Sequence, residues 1–230
     1  MKAMILAAGR GERMRPLTDH LPKPLLTLAG KPLIVHHIEA LSRAGITEIV
    51  INHAWLGHML EQQLGSGQQF GVSIQYSPEG ESGLETAGGI RQALPLLGAE
   101  PFLVVNGDVA TDFDFTALVA QPQSDILAHL VLVPNPVQHP NGDFAFLAQG
   151  PFLTTEGTQQ WTFSGISVFR PEFFQQVGAG KQKLAPYLRQ AMQQQQVTGE
   201  LFQGFWADIG TPERLAETDC WLQQGTTGTF

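Results

Sequence analysis

Residues 3–24 read AMILAAGRGERMRPLTDHLPKP, and the fold turns on how this stretch is parsed. Ala3 to Ala8 is apolar, and Gly9-Arg10-Gly11-Glu12-Arg13 breaks the run. A short apolar run ending in glycines is the pattern of a buried strand that feeds a tight loop. Glycine lets backbone N–H groups come close to a ligand where a side chain would stand in the way. Successive N–H groups of this kind form a concave anion site. Arg10, Arg13 and Arg15 add positive charge at the same place. Two common phosphate loops are excluded: Met14 stands where G-x-G-x-x-G needs its third glycine, and no G-x-x-x-x-G-K-[ST] occurs. Further on, Lys23 lies between Pro22 and Pro24. Proline restricts the preceding residue to extended backbone, so Lys23 sits on a stiff segment suited to meeting a phosphate at a fixed place. A solvated loop lysine would have the same local sequence.

Outward from this loop, strands and helices alternate. Residues 32–44 carry Leu33, His37, Ile38 and Leu41 at helical spacing, with Pro32 suited to the first turn and Gly45 as a stop. Residues 48–52 predict a strand, 55–64 a helix closed by Gly65, and 72–76 a strand. A helix over 86–97 tolerates Gly88 and Gly89, and 102–106 is a short apolar strand. The alternation predicts a Rossmann-like α/β fold: a mixed, mainly parallel sheet flanked by helices, with right-handed crossovers. Ligands of such sheets sit outside the carboxyl ends of the strands. The glycine loop lies at one such end and Gly107-Asp108 at another. The later pattern differs. Residues 126–133 predict a buried strand, 142–153 short strand-like pieces, and 160–169 a strand interrupted at Gly165. Helices are expected near 172–177 and 184–195, then one last strand over 201–209 and a terminal helix opened by Thr211-Pro212.

Composition narrows the classes. The 230 residues, 43% hydrophobic and 15% charged, suffice for one globular domain with a core. A net charge of −8 without a long basic run argues against a nucleic-acid surface. The single cysteine, Cys220, excludes an internal disulfide and a cysteine metal cluster, and is expected to be buried in the terminal helix. The N-terminal apolar stretch runs straight into the glycine loop, and nothing approaches the roughly 20 apolar residues of a membrane helix. Residence in the cytoplasm is the expectation. His36, His37, His53, His58, His129 and His139 show no metal-binding spacing and read as structural, while Trp55, Trp161 and Trp206 read as core or pocket wall.

The pattern L-A-A-G-x-G-x-R-M-x-P-L-T from Leu6 to Thr18, followed by Pro22-Lys23-Pro24, resembles the signature of the sugar-1-phosphate nucleotidyltransferases. The resemblance implies a nucleotide-diphospho-sugar transferase fold, with a nucleotide half over about 1–110 and a sugar half over about 111–222; the later strand pattern adds a small β lobe over the sugar site, and residues 223–230 are expected to form a mobile tail. It implies that Leu6, Ala8, Gly9, Gly11 and Glu12 hold the nucleotide, and that Arg13 and Lys23 neutralise charge during transfer. It places the metal-binding aspartates, for Mg²⁺, on Asp108 and Asp208. Taken alone, Asp108 could be a turn residue and Asp208 a helix cap. Magnesium takes one or two carboxylates together with phosphate oxygens and water, which two converging aspartates would suit.

Base recognition is implied along Ser77 to Gly89, with Glu79, Glu81, Thr86 and Gly88 as candidates. Here Glu85-Thr86-Ala87-Gly88 departs from the G-T-A-G or G-L-A-Q of many relatives, which leaves the base open. Asn106, Asp143, Ser164 and Gly165 are the sugar-phosphate candidates. The Glu-Lys-Pro motif of many relatives is absent, and Phe163-Ser164-Gly165 stands where they carry Asn-Ala-Gly. Asn52-His53-Ala54-Trp55-Leu56-Gly57, Ser77 to Glu81, Asn141 to Phe144, Thr162 to Ser167 and Lys183 to Pro186 are similar to one branch of the family. That branch joins UTP to N-acetylmuramate 1-phosphate in bacterial cell-wall recycling. The same chemistry on GTP with mannose 1-phosphate, or on dTTP or UTP with a hexose 1-phosphate, stays open, as does a catalytically inactive nucleotide sensor. Oligomeric state is not legible.

Overall fold

The computed structural model of the chain describes residues 1–119 and 125–223; the tail expected at 223–230 lies, apart from its first residue, outside them. Strand β1 (Lys2–Leu6) is followed by α1 (Leu33–Arg43), β2 (Glu48–His53), α2 (Gly57–Leu64), β3 (Ser73–Pro78), α3 (Glu85–Leu97) and β4 (Phe102–Asn106). Then come β5 (Ala128–Val133), β6 (Thr162–Phe169), α4 (Leu184–Gln193), β7 (Val197–Leu201) and α5 (Pro212–Gln223). The seven strands form one sheet in the order β7-β5-β6-β4-β1-β2-β3. β1, β2, β3 and β4 are mutually parallel, as are β5 and β7, whereas β6 runs antiparallel to both β4 and β5. The fold expectation holds: the sheet is mixed, mainly parallel and flanked by helices.

Strand alternation divides the core between the two faces of the sheet. Ala3, Ile5, Ile49, Ile51, Leu103 and Val105 face α1 and α2 in one apolar cluster. Met4, Val50, Phe102 and Val104 face α3 and α4 in another, which includes Ile90, Ala93, Leu188 and Met192. These side chains are almost fully buried, and each of the larger ones, Val, Ile, Leu, Met or Phe, stabilises the fold by roughly 1.5–3 kcal/mol relative to exposure. Burial on both faces explains why the strands read as near-continuous apolar runs.

Successive crossovers from β1 lead towards β3 on one side, and the chain then returns to β4 on the other. The carboxyl ends of β1 and β4 therefore flank the point where the strand order reverses, and a crevice opens there. Leu6 pairs with Asn106 across this point, which sets the glycine loop beside Gly107 and Asp108.

Three expectations are corrected. Residues 201–209 are not one strand. Val197–Leu201 pairs with β5, whereas Trp206–Asp208 pairs antiparallel with Val109–Thr111, so the chain must leave one sheet to join another ribbon. Phe202 N donates to Leu132 O and Phe205 N to Asp112 Oδ1 across that turn. The helix expected near 172–177 is a short 3-10 turn, Pro171–Phe174. Cys220 is exposed, because Thr218 is the one buried residue among those of α5. The short strand-like pieces expected over 142–153 are present, as the two-residue pair Ala145–Phe146 with Leu153–Thr154 and as single bridges from Phe144 to Trp161 and from Phe152 to Thr198. Among the described residues no helix is long and apolar enough to cross a membrane.

Candidate active site

Two cavities open along the carboxyl edge of the sheet, and both are lined by Asn106 and Asp108. The first, of about 340 Å³, is walled by the glycine loop, by the end of β2 and by residues 82–86. The second, of about 290 Å³, is walled by Arg13, by residues of the 136–139 loop, by the start of β6 and by Trp206 and Asp208.

The wall of the first cavity is set by a buried relay. Asn52, at the end of β2, accepts from Ala7 N through Oδ1 (2.8 Å) and donates from Nδ2 to Glu79 Oε1 (2.6 Å). The other oxygen of Glu79 accepts from Leu84 N at 2.6 Å. A single buried carboxylate thus ties the glycine loop to the 79–84 loop. Burial pushes the Glu79 carboxyl above the usual range, and its bonds to Asn52 and Leu84 act the other way. Gly88 and Gly89, in the first turn of α3, are small for reasons of contact. A Cβ at Gly89 would collide with Glu79 Oε1, and one at Gly88 with the carbonyl oxygen of Gly180. The 178–182 loop also covers the start of α3, where Gln182 O accepts from Ala87 N and Gly88 N.

Charges meet where the cavities join. Lys23 is buried, and its Nζ donates to Asp108 Oδ2 at 2.6 Å. Asp208 lies in register with Val109, so it sits beside Asp108, and its Oδ2 accepts from Arg214 Nη1 at 2.6 Å. Below them His37 is fully buried, and desolvation depresses its imidazole to about 4, which keeps it neutral at pH 7. Arg10 lines the first cavity with its guanidinium 3.6 Å over the Trp55 ring, a cation–π contact.

Of the nucleotide candidates, Leu6, Ala8, Gly9, Lys23, Glu79 and Thr86 line the first cavity, while Arg13 lines the second. Gly11, Glu12, Glu81 and Gly88 are on neither wall. Of the sugar-phosphate candidates, Asn106 and Ser164 are on the walls. The Ser164 hydroxyl donates to Val131 O and so does not face a ligand as a donor. Gly165 lies behind. Its φ of 82° is left-handed, and a Cβ would press on the Asn106 amide, so this glycine makes room for Asn106. Asp143 also stands behind the wall, where Oδ2 accepts from Phe163 N at 2.8 Å and Oδ1 faces His139 Nε2 at 3.1 Å.

Asn52, Arg214, Gln138 and His139 were not among the sequence candidates. Asn52 had one usable signal, as a polar residue closing a buried strand beside β1. Arg214 had none, because its partner is set by a helix docking on another ribbon. Asp108 and Asp208 together form a pair of hard oxygen donors at the mouth of a phosphate-sized crevice. Among the described residues no group of three or more His, Cys, Asp or Glu converges. Two carboxylates fit Mg²⁺, which fills its remaining positions with phosphate oxygens and water.

A crevice at the strand-order reversal, a glycine loop and a lysine–aspartate pair together suit a phosphate-bearing ligand of an α/β sheet. Residues 2–145 match the nucleotidyl transferase family model. The chain is 58% identical to the N-acetylmuramate alpha-1-phosphate uridylyltransferase of Neisseria meningitidis serogroup B, over 94% of this chain and 96% of that one. It is 32% identical to mannose-1-phosphate guanyltransferase beta-B of Xenopus laevis, over 97% of this chain but 65% of that longer protein. A solved Bacillus anthracis protein described as a glucose-1-phosphate thymidylyltransferase superposes on all of this chain and 98% of its own, with a TM-score of 0.85 at 23% identity, a likeness of fold. The chain belongs to the nucleotidyl transferase family, in its sugar-1-phosphate nucleotidyltransferase branch.

Proposed function

We propose that this chain joins UTP to N-acetylmuramate 1-phosphate, giving UDP-N-acetylmuramate and pyrophosphate, in the cytoplasm as a step of cell-wall recycling. The observation that carries the substrate pair is 58% identity along nearly the whole of both chains. The two joined cavities support it, since one can take a nucleotide and the other a sugar phosphate, with Asn106 and Asp108 between them.

In this reading a phosphate oxygen of the sugar 1-phosphate attacks the α-phosphorus of UTP. The bond from that phosphorus to the bridging oxygen breaks, and its electron pair leaves with pyrophosphate. The nucleophile needs no general base, because the second pKa of a phosphate monoester is about 6 and the dianion prevails at pH 7. The barrier lies in bringing two polyanions together in line. Lys23 and Arg13 neutralise the approaching phosphates, one from each cavity. The backbone from Leu6 to Gly9 positions the nucleotide, held in place through Asn52 and Glu79. Asp108 and Asp208 would hold Mg²⁺, which supplies charge neutralisation to the phosphate oxygens.

The test is pyrophosphate release by the purified chain with Mg²⁺. Each of ATP, GTP, CTP, UTP and dTTP is paired with N-acetylmuramate, N-acetylglucosamine, glucose and mannose 1-phosphates. Release is expected with UTP and N-acetylmuramate 1-phosphate. Release from another pair alone discards the substrate assignment and keeps the chemistry. Nucleotide binding with no release from any pair leaves a sensor.

A further inference from the structure

N-acetylmuramate differs from N-acetylglucosamine by a lactyl ether that ends in a carboxylate. A cavity that selects it must offer this second anion a donor that the phosphate does not occupy. Resting on the proposed substrate, we propose that His139, oriented by Asp143 and assisted by Gln138, binds the lactyl carboxylate and sets the choice of sugar.

Four observations lead there. First, the wall of the second cavity carries cationic or cation-capable side chains at Arg13 and His139. Arg13 belongs to the glycine loop and is engaged by phosphate in the proposed reaction. His139 comes from the loop after β5, a different segment. Second, that wall also carries Asp108 and Asp208, which repel a carboxylate unless it is drawn elsewhere. Third, the ring is held. Its Nε2 lies 3.1 Å from Asp143 Oδ1, while the other oxygen of Asp143 accepts from Phe163 N at 2.8 Å. As an imidazolium it donates from both nitrogens, one to Asp143 and the other to an incoming carboxylate.

Fourth, the loop is built on the sheet. Asn135 donates from Nδ2 to Pro140 O and to Gln160 O, and its Oδ1 accepts from Thr162 Oγ1 at 2.9 Å. Asp143 N donates to Trp161 O at 2.9 Å. Both ends of the 135–143 segment are therefore tied to the approach to β6, and the Gln138 amide adds a neutral donor on the same wall. His139 is a specificity residue that touches substrate, and Asp143 is a positioning residue that acts through it.

The experiment compares kcat/KM for N-acetylmuramate 1-phosphate and N-acetylglucosamine 1-phosphate, both with UTP, in the wild type, His139→Ala, His139→Gln and Asp143→Asn. The wild type is expected to prefer the muramate. His139→Ala should lose about 10- to 100-fold on it, the worth of one charge-assisted hydrogen bond, and change little on N-acetylglucosamine 1-phosphate. His139→Gln and Asp143→Asn should lose less, in the same selective way. Parallel losses on both sugars, with unaltered thermal midpoints, would reduce His139 to a wall of the cavity and overturn the proposal. No loss on either sugar overturns it equally. Should His139→Ala unfold, the ratio measured in His139→Gln decides. A wild type that turns over N-acetylglucosamine 1-phosphate and not the muramate sinks the substrate reading itself, an outcome distinct from the others because it appears before any mutation.

Discussion

The two cavities meet at Asn106 and Asp108, yet they are made differently. The first is a product of the parallel half of the sheet. Its wall is the glycine loop, the end of β2 and residues 82–86, and two of its polar side chains, Asn52 and Glu79, are locked into the scaffold by bonds to Ala7 and Leu84. The second is assembled from the glycine loop, the 136–139 loop, β6 and the Val109–Thr111 ribbon. Carboxylates and His139 on its wall are held in ion pairs by groups beside or behind it: Asp208 by Arg214, His139 by Asp143, and Asp108, which both cavities share, by Lys23 of the first. A locked wall is ready for a ligand without rearrangement, whereas a wall of ion pairs must exchange partners when phosphates arrive. On this contrast, changes in the first cavity should cost stability and nucleotide affinity together, and changes in the second should cost turnover while the fold is kept.

The largest effect is expected at the joint. Lys23→Ala removes the buried cation that faces Asp108 and, in the proposed reaction, the phosphates. Loss of one such group lowers turnover by roughly 10²–10³-fold at other charge-stabilising sites, and a loss at the upper end or beyond is expected here. The thermal midpoint should barely fall, because Asp108 is about one-third exposed and can be hydrated. Pyrophosphate release at saturating substrates checks the first point and calorimetry the second. Near-normal turnover would remove Lys23 from the mechanism.

A middle effect tests the locked wall. Both partners of Glu79 are donors, Asn52 Nδ2 and Leu84 N. Glu79→Gln replaces one acceptor oxygen by an NH₂, which then meets a donor. Asn52 cannot turn its amide to accept it without losing the bond from Ala7 N. A buried donor left unsatisfied costs about 1–3 kcal/mol. The variant should therefore melt lower and show a raised KM for nucleotide, with kcat changed less than KM. If kcat alone fell, Glu79 would belong to the chemistry and the contrast between the cavities would weaken.

The sequence exposed the first cavity better than the second, and for the same structural reason. A strand, its glycine loop and Lys23 lie within 24 residues, so Leu6, Ala8, Gly9 and Lys23 could be picked out by local pattern. The parallel order followed from strand–helix alternation, which periodicity reveals. The second cavity joins residues 13, 106, 138, 164, 206 and 208, and no local pattern marks such a convergence. Asp143 was visible as a polar residue in a turn, but whether it would face the cavity or stand behind His139 depended on the pairing of residue 144 with Trp161. Gly88 was visible as a glycine, but its contact with Gly180 lies across a fold that sequence spacing does not encode. The break at Leu201 was missed because an aromatic run reads as strand whether or not its two ends join different sheets.

The smallest effect concerns the cation opposite Lys23. Arg214 holds Asp208 Oδ2 at 2.6 Å from the first turns of α5, and its side chain is about four-fifths buried. A positive charge so close to a carboxylate competes with Mg²⁺ for the same oxygen and repels the ion. The pair also fixes the rotamer of Asp208, which favours binding. Competition acts directly on the ion, whereas Asp208 keeps its place in the ribbon through its pairing with Val109. Arg214→Gln should therefore lower the Mg²⁺ concentration for half-maximal pyrophosphate release by a few fold, an interaction on the order of 1 kcal/mol at a partly exposed site. Maximal turnover should stay close to wild type. A higher Mg²⁺ requirement would mean that holding Asp208 outweighs the repulsion. Arg214 would then be a positioning residue of the same kind as Asn52, and the second cavity would share the locked construction of the first.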